Sequence, residues 1–488
     1  MILYAVACRA MIATIAARPA VTLRLRFWSH PAAAPATAAL ATVAAGLPGL
    51  GRQLDQDEVV TWYAATLPVR DLLPVLRDVD AVFAPYYFLM HAWTRLAGAS
   101  PLALRVPTLV ATVLTAALIV VLGRRLVDTR TGLIAGLLFA VLPAVSRYAQ
   151  DARPYGLAVL AAVVSTLALL WAADGIRQRW LVYACTIPLL IGAHLMAIML
   201  LAGHFAYMVG HRRRWWWGGA VLVGLLPLAP LVLVASGQTG QVAWLGTPTW
   251  TRLPLLPGEI LGAAALGGLL AGVAVIRRPA LDRVTALLAA WALVPPAVLF
   301  AVSYASPMLH PRYLLFTAPA WCLLAARACG GRWSGAALVA GALVLGLSAH
   351  AAFRVDTLAG NPDLRRAFAA ISAGQAPGDG ILHRGPQQNV SRLATGLYLP
   401  QRRPVDVLMR QSARQHGSYY ALDYDDATAA AALRNVTRLW VVSGIEAPAK
   451  QWHTMLGGGQ LAEQLRNHYT LERQEHFQGV TVLLLRRT

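Results

Sequence analysis

Long apolar stretches recur through the first two thirds of the chain. A helix needs roughly 20 apolar residues to cross a bilayer, and about eleven stretches approach that length. The composition agrees, since 57% of the residues are hydrophobic and only 13% are charged, whereas soluble domains carry roughly 25% charged residues. The sequence therefore predicts a polytopic α-helical membrane protein. The predicted spans are 31–50, 103–122, 131–147, 155–173, 180–194, 195–210, 215–235, 257–276, 284–305, 312–328 and 333–352.

Arginine clusters lie between alternate predicted spans, so that all of them share one side of the membrane. The rule that positively charged loops stay in the cytoplasm assigns this side to the cytoplasm, together with residues 1–30 as a lead-in. The formal charge of +20 is therefore explained without a nucleic-acid partner, and no nucleic-acid-binding motif is found. The clusters are Arg9–Arg26, Arg124–Arg130, Arg177–Arg179, Arg212–Arg214, Arg277–Arg283 and Arg327–Arg332.

The opposite, outer face receives the remaining loops. The first, at 51–102, is long and acidic, and its segment 84–96 has the pattern of an amphipathic helix lying in the membrane interface. Shorter outer loops are predicted at 147–155, 236–256 and 306–313. We therefore predict a transmembrane module over 31–352 whose polar outer-face groups come from four separate loops.

The composition changes after residue 352. Residues 363–373 have helical spacing, and LWVVSG (439–444) and VTVLLLRR (480–487) have the pattern of strands. The chain over 353–488 is long enough to bury its own core. We expect a small α/β domain, which the predicted topology places on the extracytoplasmic side.

The acidic stretch LDQDEVVTWY (54–63) follows the first span directly. A carboxylate costs roughly 2.5–3.5 kcal/mol in a bilayer core, so these acids belong outside the hydrocarbon. In one interpretation they favour a helix start, because acids suit the positive end of a helix. In the other, one of them is a general base that removes a proton from an acceptor hydroxyl. Asp57 and Glu58 are adjacent, so their side chains point about 100° apart on a helix and one function for both is disfavoured.

Basic groups on the same outer face are candidates for binding a lipid phosphate, because the arginine fork matches phosphate oxygens. The alternative is that each one only extends toward lipid headgroups. Trp244 has two interpretations of the same kind, stacking on a sugar or anchoring at the interface. The outer-face basic candidates are Arg105, Arg147, Arg153, His310 and Arg312.

Taken together, the motifs DQDEVVTW, DVDAVFAPYYFLMHAW, SPLALRVPTLVATVL, RYAQDARPYGL and HPRYLLFTAPA resemble those of the GT-C glycosyltransferases. The chain is similar to the family of protein O-mannosyltransferases and lipid A aminoarabinose transferases, and to actinobacterial membrane mannosyl- and arabinosyltransferases. The resemblance covers about 31–352, and its specificity lies in the order and common face of the motifs. It departs from many relatives at Asp80 and the single Pro85, where they have His or Lys before a Pro pair. Asp80 is therefore a second acid or a helix cap.

The resemblance implies a set of site residues. Asp57 would be the general base beside Glu58, the second outer loop would add a polar group at Asp151, and the HPRY turn would approach the donor phosphate. The expected catalytic residues are Asp57, Glu58 and Asp151. The expected donor-phosphate ligands are Arg153, His310, Arg312 and Arg105, and the expected substrate-binding residues are Asp80, Gln150, Tyr155, Tyr313 and Trp244.

The expected function is transfer of mannose or a similar sugar from a polyprenyl-phosphate donor to a glycan, lipid or protein acceptor, at the outer face of a bacterial plasma membrane. Direct displacement with inversion at the sugar carbon is the expected mechanism. The alternative is a transporter or flippase, which would keep charges along a path between the leaflets. No metal-ligand spacing occurs among the four cysteines. No cofactor is required, and a divalent cation held by the acids is left open.

Overall fold

The computed structural model describes residues 31–238, 244–401, 403–445 and 448–488, so the predicted lead-in 1–30 lies outside the described residues. A bundle of helices is followed by a domain built on a mixed β-sheet. The helices up to residue 353 are α1 (Ala33–Gly46), α2 (Gln56–Thr66), α3 (Val69–Asp78), α4 (Ala84–Ala97), α5 (Pro101–Leu126), α6 (Thr129–Val141), α7 (Pro143–Ala149), α8 (Tyr155–Ala173), α9 (Arg179–Ala193), α10 (Leu200–Met208), α11 (Arg214–Leu225), α12 (Ala229–Ser236), α13 (Leu256–Leu261), α14 (Ala264–Arg277), α15 (Arg283–Val302), α16 (Ala318–Cys329) and α17 (Arg332–Phe353). Short 3-10 helices cover Ala81–Phe83, Leu195–Met199, Leu226–Leu228, Trp250–Leu255 and Pro311–Thr317.

Each predicted span contains a helix or a broken pair of helices, which confirms a helical membrane protein. Among the described residues, five helical segments are long and apolar enough to cross a bilayer, or seven if each bent pair is one span. The pairs α6–α7 and α13–α14 bend by 66° and 97°. Pro143, which lacks an N–H group, follows the first break, and Gly262 adopts a positive φ of 96° at the second. The predicted number of eleven spans stays a prediction.

The five predicted arginine clusters that lie within the described residues, from Arg124 onward, meet at one end of the bundle. The first cluster, Arg9–Arg26, lies outside the described residues. Arg125 pairs with Asp174, Arg213 donates to the carbonyl of Gly175, and Arg327 pairs with Asp282. Several of these arginines also stack on tryptophan rings, with Arg177 4.4 Å from the centroid of Trp216. Arginine and tryptophan together are typical of a membrane–water interface. The cavity described below lies at the opposite end.

The predicted first outer loop is largely helical and consists of α2, α3, α4 and the short turn Ala81–Phe83. The helix predicted over 84–96 is observed as α4, and its position in the membrane interface stays a prediction. These elements pack beside the bundle and bury apolar residues such as Val59, Leu72 and Tyr87. They form the layer on which the C-terminal domain sits.

The C-terminal domain has a five-stranded sheet in the order β2-β1-β5-β7-β6 and a separate hairpin of β3 and β4. Strands β2, β1 and β5 are parallel, whereas β7 is antiparallel to both β5 and β6. The predicted helix and both predicted strands are confirmed as α18, β5 and β7. The elements are α18 (Leu364–Gly374), β1 (Gly380–Arg384), α19 (Gln388–Tyr398), β2 (Val405–Asp406), β3 (Met409–Gln411), α20 (Ala413–His416), β4 (Leu422–Asp423), α21 (Asp426–Ala432), β5 (Arg438–Ser443), α22 (Gln460–His468), β6 (Tyr469–Phe477) and β7 (Val480–Arg487), with 3-10 turns at Leu433–Asn435 and Ala449–Leu456.

The two faces of the sheet bury different cores. Along β5, Leu439 and Val441 point into a core closed by α21 and α22. Trp440 and Val442 point to the other face, because side chains alternate along a strand. This second core also contains residues of α18 and α19, and it continues without a break into α2, α3 and α4. The C-terminal domain is therefore packed onto the membrane module through a shared apolar layer.

We predict that Phe368→Ala strongly destabilises this shared layer. Phe368 is fully buried and stacks on Tyr398 at 6.0 Å between ring centroids. Truncating such a residue costs about 3–5 kcal/mol through lost burial and the cavity left behind. The thermal unfolding temperature of the purified protein should fall by several degrees. Tyr424→Ala, at a side chain 41% exposed on the same domain, is the control and should change it little. Equal shifts in both variants would contradict the shared core.

Candidate functional site

The site begins at the first turn of α2, which contains the acidic stretch that was interpreted either as a helix start or as the source of a general base. Asp55 is the N-cap, and its carboxylate accepts a hydrogen bond from the backbone N–H of Glu58 at 3.0 Å. The Glu58 carboxylate in turn accepts from the backbone N–H of Asp55 at 3.0 Å. This reciprocal capping box confirms the helix-start interpretation for these two acids. Asp57, between them, is free to face elsewhere.

Glu58 is fully buried and held by Arg105. Both oxygens of the carboxylate accept from the Arg105 guanidinium at 2.7 Å, and Oε1 also accepts from the backbone N–H of Ala152 at 2.8 Å. The other Arg105 contacts are the carbonyl oxygens of residues 50, 52 and 53. Burial opposes ionisation, but Arg105 and Arg52 outweigh it and lower the pKa of Glu58 to about 2. This bidentate pair fastens α2 to α5 and to the loop before α8.

Behind the cap, Asp55 and Asp151 share Arg147, which lies 2.9 Å from an Asp55 oxygen and 3.1 Å from an Asp151 oxygen. Burial and the negative charges of Asp55 and Glu58 raise the pKa of Asp151 to about 7. Asp55, Glu58 and Asp151 each place a carboxylate oxygen within 4.8 Å of the others. Such a cluster could hold a cation in isolation. Here, however, Arg52, Arg105 and Arg147 contact the same three acids, so the cluster has no net negative charge to attract one.

In front of the cap lies a cavity of about 1070 Å³. The membrane module lines one side of it, with residues from the start of α2, the turn before α4, the loop before α8, the end of α12 and the loop before α16. Residues of the C-terminal domain line the other side. Seven predicted site residues line this cavity, namely Asp57, Asp80, Arg153, Trp244, His310, Arg312 and Tyr313.

Asp57 and Arg312 form the central pair on the cavity wall, with 2.5 Å between Oδ2 and Nη1. The Asp57 side chain is 37% exposed, so it remains accessible from the cavity. Burial opposes its ionisation, but Arg153 and Arg312 outweigh burial and hold the pKa of Asp57 below its usual value. The guanidinium of Arg312 also lies 5.7 Å from the ring centroid of Tyr155 and 5.6 Å from that of Tyr313.

Arg153 crosses the floor of the cavity beside this pair. Its Nη1 donates to the hydroxyl of Tyr87 at 3.2 Å and lies 3.5 Å from the backbone oxygen of Asp57, and its guanidinium lies 4.5 Å above the ring of Phe83. The Tyr87 hydroxyl donates to Asp80 at 2.8 Å. Asp80 stands at the N-cap position of Ala81–Phe83 with a φ of 60°, but its side chain makes no capping bond there. The helix-cap alternative is thus not supported by a capping bond, and the role of Asp80 as a second acid stays a prediction.

His310 lies on the wall between Trp244 and Tyr313, whose ring centroids are 6.1 Å and 5.5 Å from its own. Its ring nitrogen accepts from the backbone N–H of Arg312 at 3.3 Å, which caps the turn of the HPRY motif. Burial and then the charge of Arg312 lower the pKa of His310 to about 4. His310 is therefore neutral at pH 7 in the ligand-free protein.

Five predicted site residues do not line the cavity. Glu58, Arg105 and Asp151 belong to the buried ion pairs behind it. Gln150 is buried and its amide donates to the carbonyl of Ala45 and to the hydroxyl of Ser146. Tyr155 is buried beneath Arg312 and packs against His194 and Tyr313. These side chains support the cavity wall and do not present groups to it.

Sequence reasoning did not identify two sets of residues. Arg52 lies 3.5 Å from Glu58, and the only sequence signal for it was an arginine on a predicted outer loop, where arginine should be scarce. The second set is the cavity wall from the C-terminal domain, which includes Asn361, Asn389 and Tyr420. These residues lie in loops and at a helix start, where no local pattern distinguishes a site residue from a surface residue.

The fold is shared with solved structures. ArnT from Cupriavidus metallidurans in the apo state aligns with 14% identity and a TM-score of 0.60 over 96% of this chain and 98% of that chain. The same protein bound to undecaprenyl phosphate aligns with 14% identity and a TM-score of 0.58, over 95% of this chain and 98% of that chain. The oligosaccharyltransferase of Archaeoglobus fulgidus in the apo form aligns with 12% identity and a TM-score of 0.51, over 90% of this chain and 72% of that chain. These likenesses show a common GT-C fold. A comparison with curated protein sequences gives no match.

Residues 84–234 match the family model described as dolichyl-phosphate-mannose-protein mannosyltransferase. This segment is similar to that family, and the chain as a whole shares the GT-C fold. The predicted resemblance is thereby confirmed. The matched segment contains Arg105, Arg147 and Arg153, whereas the acidic stretch and the HPRY turn lie outside it.

We predict that Glu58→Gln destabilises the protein by about 3–5 kcal/mol, because it leaves the buried Arg105 without its counter-charge. Adding Arg105→Met to Glu58→Gln should cost less than the sum of the two single changes. Since the pKa of Glu58 is depressed from 4.5 to about 2, its contribution is complete above pH 4.5 and is lost as the pH falls toward 2. The difference in unfolding temperature between wild type and Glu58→Gln should therefore narrow in acid.

Glu472→Gln is the matched control for this prediction, since Glu472 pairs with Arg486 on the surface of the C-terminal domain. It should leave the unfolding temperature unchanged. Purely additive effects of Glu58→Gln and Arg105→Met would contradict the buried pair.

Proposed function

We propose that the chain transfers a sugar from a polyprenyl-phosphate donor to an acceptor hydroxyl, with Asp57 as the general base. The observation that carries the proposal is the pair of Asp57 and Arg312 on the wall of a large cavity, with Arg153 beside it. The reaction needs a base that removes the proton of the acceptor hydroxyl and cations that stabilise the departing phosphate. Asp57 provides the base, and Arg153 and Arg312 provide the cations. The ArnT structure bound to undecaprenyl phosphate supports a lipid-phosphate donor for this fold.

The reaction is a direct displacement. An Asp57 oxygen takes the proton of the acceptor hydroxyl while the acceptor oxygen forms a bond to the anomeric carbon. The bond between that carbon and the phosphate oxygen breaks, and its electron pair leaves with the polyprenyl phosphate, which gains one negative charge. The sugar carbon is therefore inverted. A product with retained configuration would contradict this step.

The donor phosphate also prepares the base. In the ligand-free protein Arg312 pairs with Asp57, which keeps the carboxylate ionised but weakly basic. A phosphate bound between Arg312 and Arg153 competes for the same guanidinium groups, and its own negative charge raises the pKa of Asp57. The base thus becomes stronger when the donor is in place. Apolar residues such as Val232 and Met308, which also line the cavity, suit the first isoprene units of the donor.

The same inference assigns supporting roles to the remaining predicted residues. Glu58 and Arg105 fix the direction of α2, and Asp151 fixes Arg147, so none of the three needs to touch the substrate. We place the cavity on the extracytoplasmic side, because the arginine clusters meet at the opposite end of the bundle.

We predict that Asp57→Asn lowers the rate of sugar transfer by about 10²–10⁴-fold, the contribution expected of a general base. The assay is transfer of radiolabel from polyprenyl-phosphate sugars to a membrane lipid extract by the purified protein. Donor binding should persist, because Arg153 and Arg312 remain. Asp55→Asn changes the acid two residues earlier, which pairs with Arg147. This comparison variant should lower the unfolding temperature but should slow sugar transfer much less than Asp57→Asn. Unchanged transfer by Asp57→Asn would exclude it as the base.

We predict that kcat and kcat/KM decline in acid over different pH ranges. In the free enzyme Asp57 is ionised above a pKa below 3.8, so kcat/KM should show no acidic decline near neutral pH. In the donor complex the pKa of Asp57 is higher, so the acidic decline of kcat should begin at higher pH. Arg312→Gln should shift the acidic decline of kcat/KM to higher pH, because the variant lacks a cation that stabilises the ionised Asp57 carboxylate. Arg486→Gln, at a surface ion pair, should leave both profiles unchanged.

A further inference from the structure

The two walls of the cavity differ in charge. Among the described residues, the membrane module supplies all of the charged residues that line the cavity, which include Asp57, Arg153 and Arg312. The described part of the C-terminal domain contributes residues 359–361, 386, 389, 390, 419 and 420, and none of these carries a charge. The molecule that lies against this second wall therefore meets amide groups, tyrosine rings and small apolar side chains only.

The amides and rings of this neutral wall are available to a ligand. Asn389, in the first turn of α19, and Tyr420, which is 52% exposed, have no side-chain hydrogen bond within the described residues. Asn361 accepts from the backbone N–H of Gln56 at 3.4 Å, which places it one residue from the base. Its amide N–H groups donate no hydrogen bond within the described part of the chain. The neutral wall thus offers donors and acceptors close to the reacting position.

A phosphorylated acceptor fits this arrangement poorly. The arginines on the cavity are Arg147, Arg153 and Arg312, and all three lie on the membrane-module side. Arg147 is committed to Asp55 and Asp151, and the other two are needed for the donor phosphate. No cation is left among the described cavity residues for a second phosphate, and burying an unpaired phosphate would be costly.

A peptide acceptor fits less well for a different reason. Extended peptides commonly add to the open edge of a sheet, where the backbone supplies the hydrogen bonds. The edges of the large sheet are β2 and β6, and no residue of either strand lines the cavity. The neutral wall is built instead from loops and from the start of α19. Amides and tyrosine rings arranged in this way suit the hydroxyl groups and apolar faces of a sugar.

We propose that the acceptor is the hydroxyl group of an uncharged glycan, held against Asn361, Asn389 and Tyr420 of the C-terminal domain. The inference rests on the proposed function, since Asp57 then removes the proton of that hydroxyl. Asn389 and Tyr420 act as specificity-determining residues, because they contact the acceptor and take no part in holding the donor phosphate.

The experiment measures acceptor binding without catalysis. Full-length protein in phosphatidylcholine nanodiscs, which contain no glycosidic detergent, is studied by saturation-transfer NMR. The probes are neutral manno-, gluco- and arabino-oligosaccharides, a mannose 6-phosphate disaccharide and a peptide containing Ser and Thr. At least one neutral oligosaccharide should bind. Asn389→Ala and Tyr420→Ala should each weaken its Kd by about two- to tenfold, as expected for the loss of one hydrogen bond.

Two matched controls keep the experiment specific. Asn467→Ala and Tyr424→Ala change exposed residues of the same types on the same domain, outside the cavity, and should leave the Kd unchanged. All four variants should unfold at the wild-type temperature. Preferential binding of the phosphorylated sugar or the peptide, no binding of any neutral oligosaccharide, or equal affinities in the four variants would each overturn the inference.

Failure of the proposed function gives a different result. In the same nanodiscs, release of polyprenyl phosphate from polyprenyl-phosphate sugars is followed for wild type, Asn389→Ala and Asp57→Asn. If wild type binds a neutral glycan but neither binds nor cleaves any donor, the glycosyl-transfer chemistry is wrong while the glycan site stands. If donor is cleaved with Asp57 required, and no neutral glycan binds, the acceptor class alone is wrong.

Discussion

The bidentate pair of Glu58 and Arg105 is the interaction on which the rest of the site depends. Glu58 belongs to the first turn of α2, Arg105 to the buried start of α5, and Ala152, whose N–H the carboxylate accepts, to the loop before α8. Three separate segments are thus fixed to one carboxylate. Because both charges are fully buried, neither can move away without leaving the other unpaired, at a cost of several kcal/mol. The direction of Asp57 follows from this constraint.

Neighbouring acids on one helix turn acquire different properties in this way. A step of one residue turns the side chain by about 100°, so that Glu58 points into the protein while Asp57 points into the cavity. Glu58 accepts four hydrogen bonds and stays ionised at neutral pH. The Asp57 carboxylate pairs with one half-buried guanidinium, that of Arg312, which a ligand can displace. A base must be able to change protonation state during the reaction, and only the carboxylate with the exchangeable partner satisfies this requirement.

The sequence was informative where the signal is local, and less so where it depends on distant contacts. The apolar stretches predicted the helices, the alternation in β5 and β7 predicted strands, and DQDE predicted a helix start that the capping box confirms. Arg105 was expected at the donor phosphate because it lies at the outer end of a span. Its true partner is 47 residues away in sequence, and no periodicity indicates which arginine meets which acid. Asn389 and Tyr420 were missed because their role depends on how the C-terminal domain packs against α2–α4.

The arginines of the site also have to be reconciled with the rule that positive charge stays on the cytoplasmic side. At the cavity end, the arginines are matched in number by acids: Arg52, Arg105, Arg147, Arg153 and Arg312 lie among Asp55, Asp57, Glu58, Asp80 and Asp151. At the other end, clusters such as Arg212–Arg214 greatly outnumber their acidic partners and lie against tryptophan rings. Folding therefore neutralises the cavity end internally, while the opposite end keeps its excess positive charge for lipid headgroups. A donor phosphate entering the cavity disturbs this balance, and the most accessible ion pair, Asp57 with Arg312, is the one that can respond.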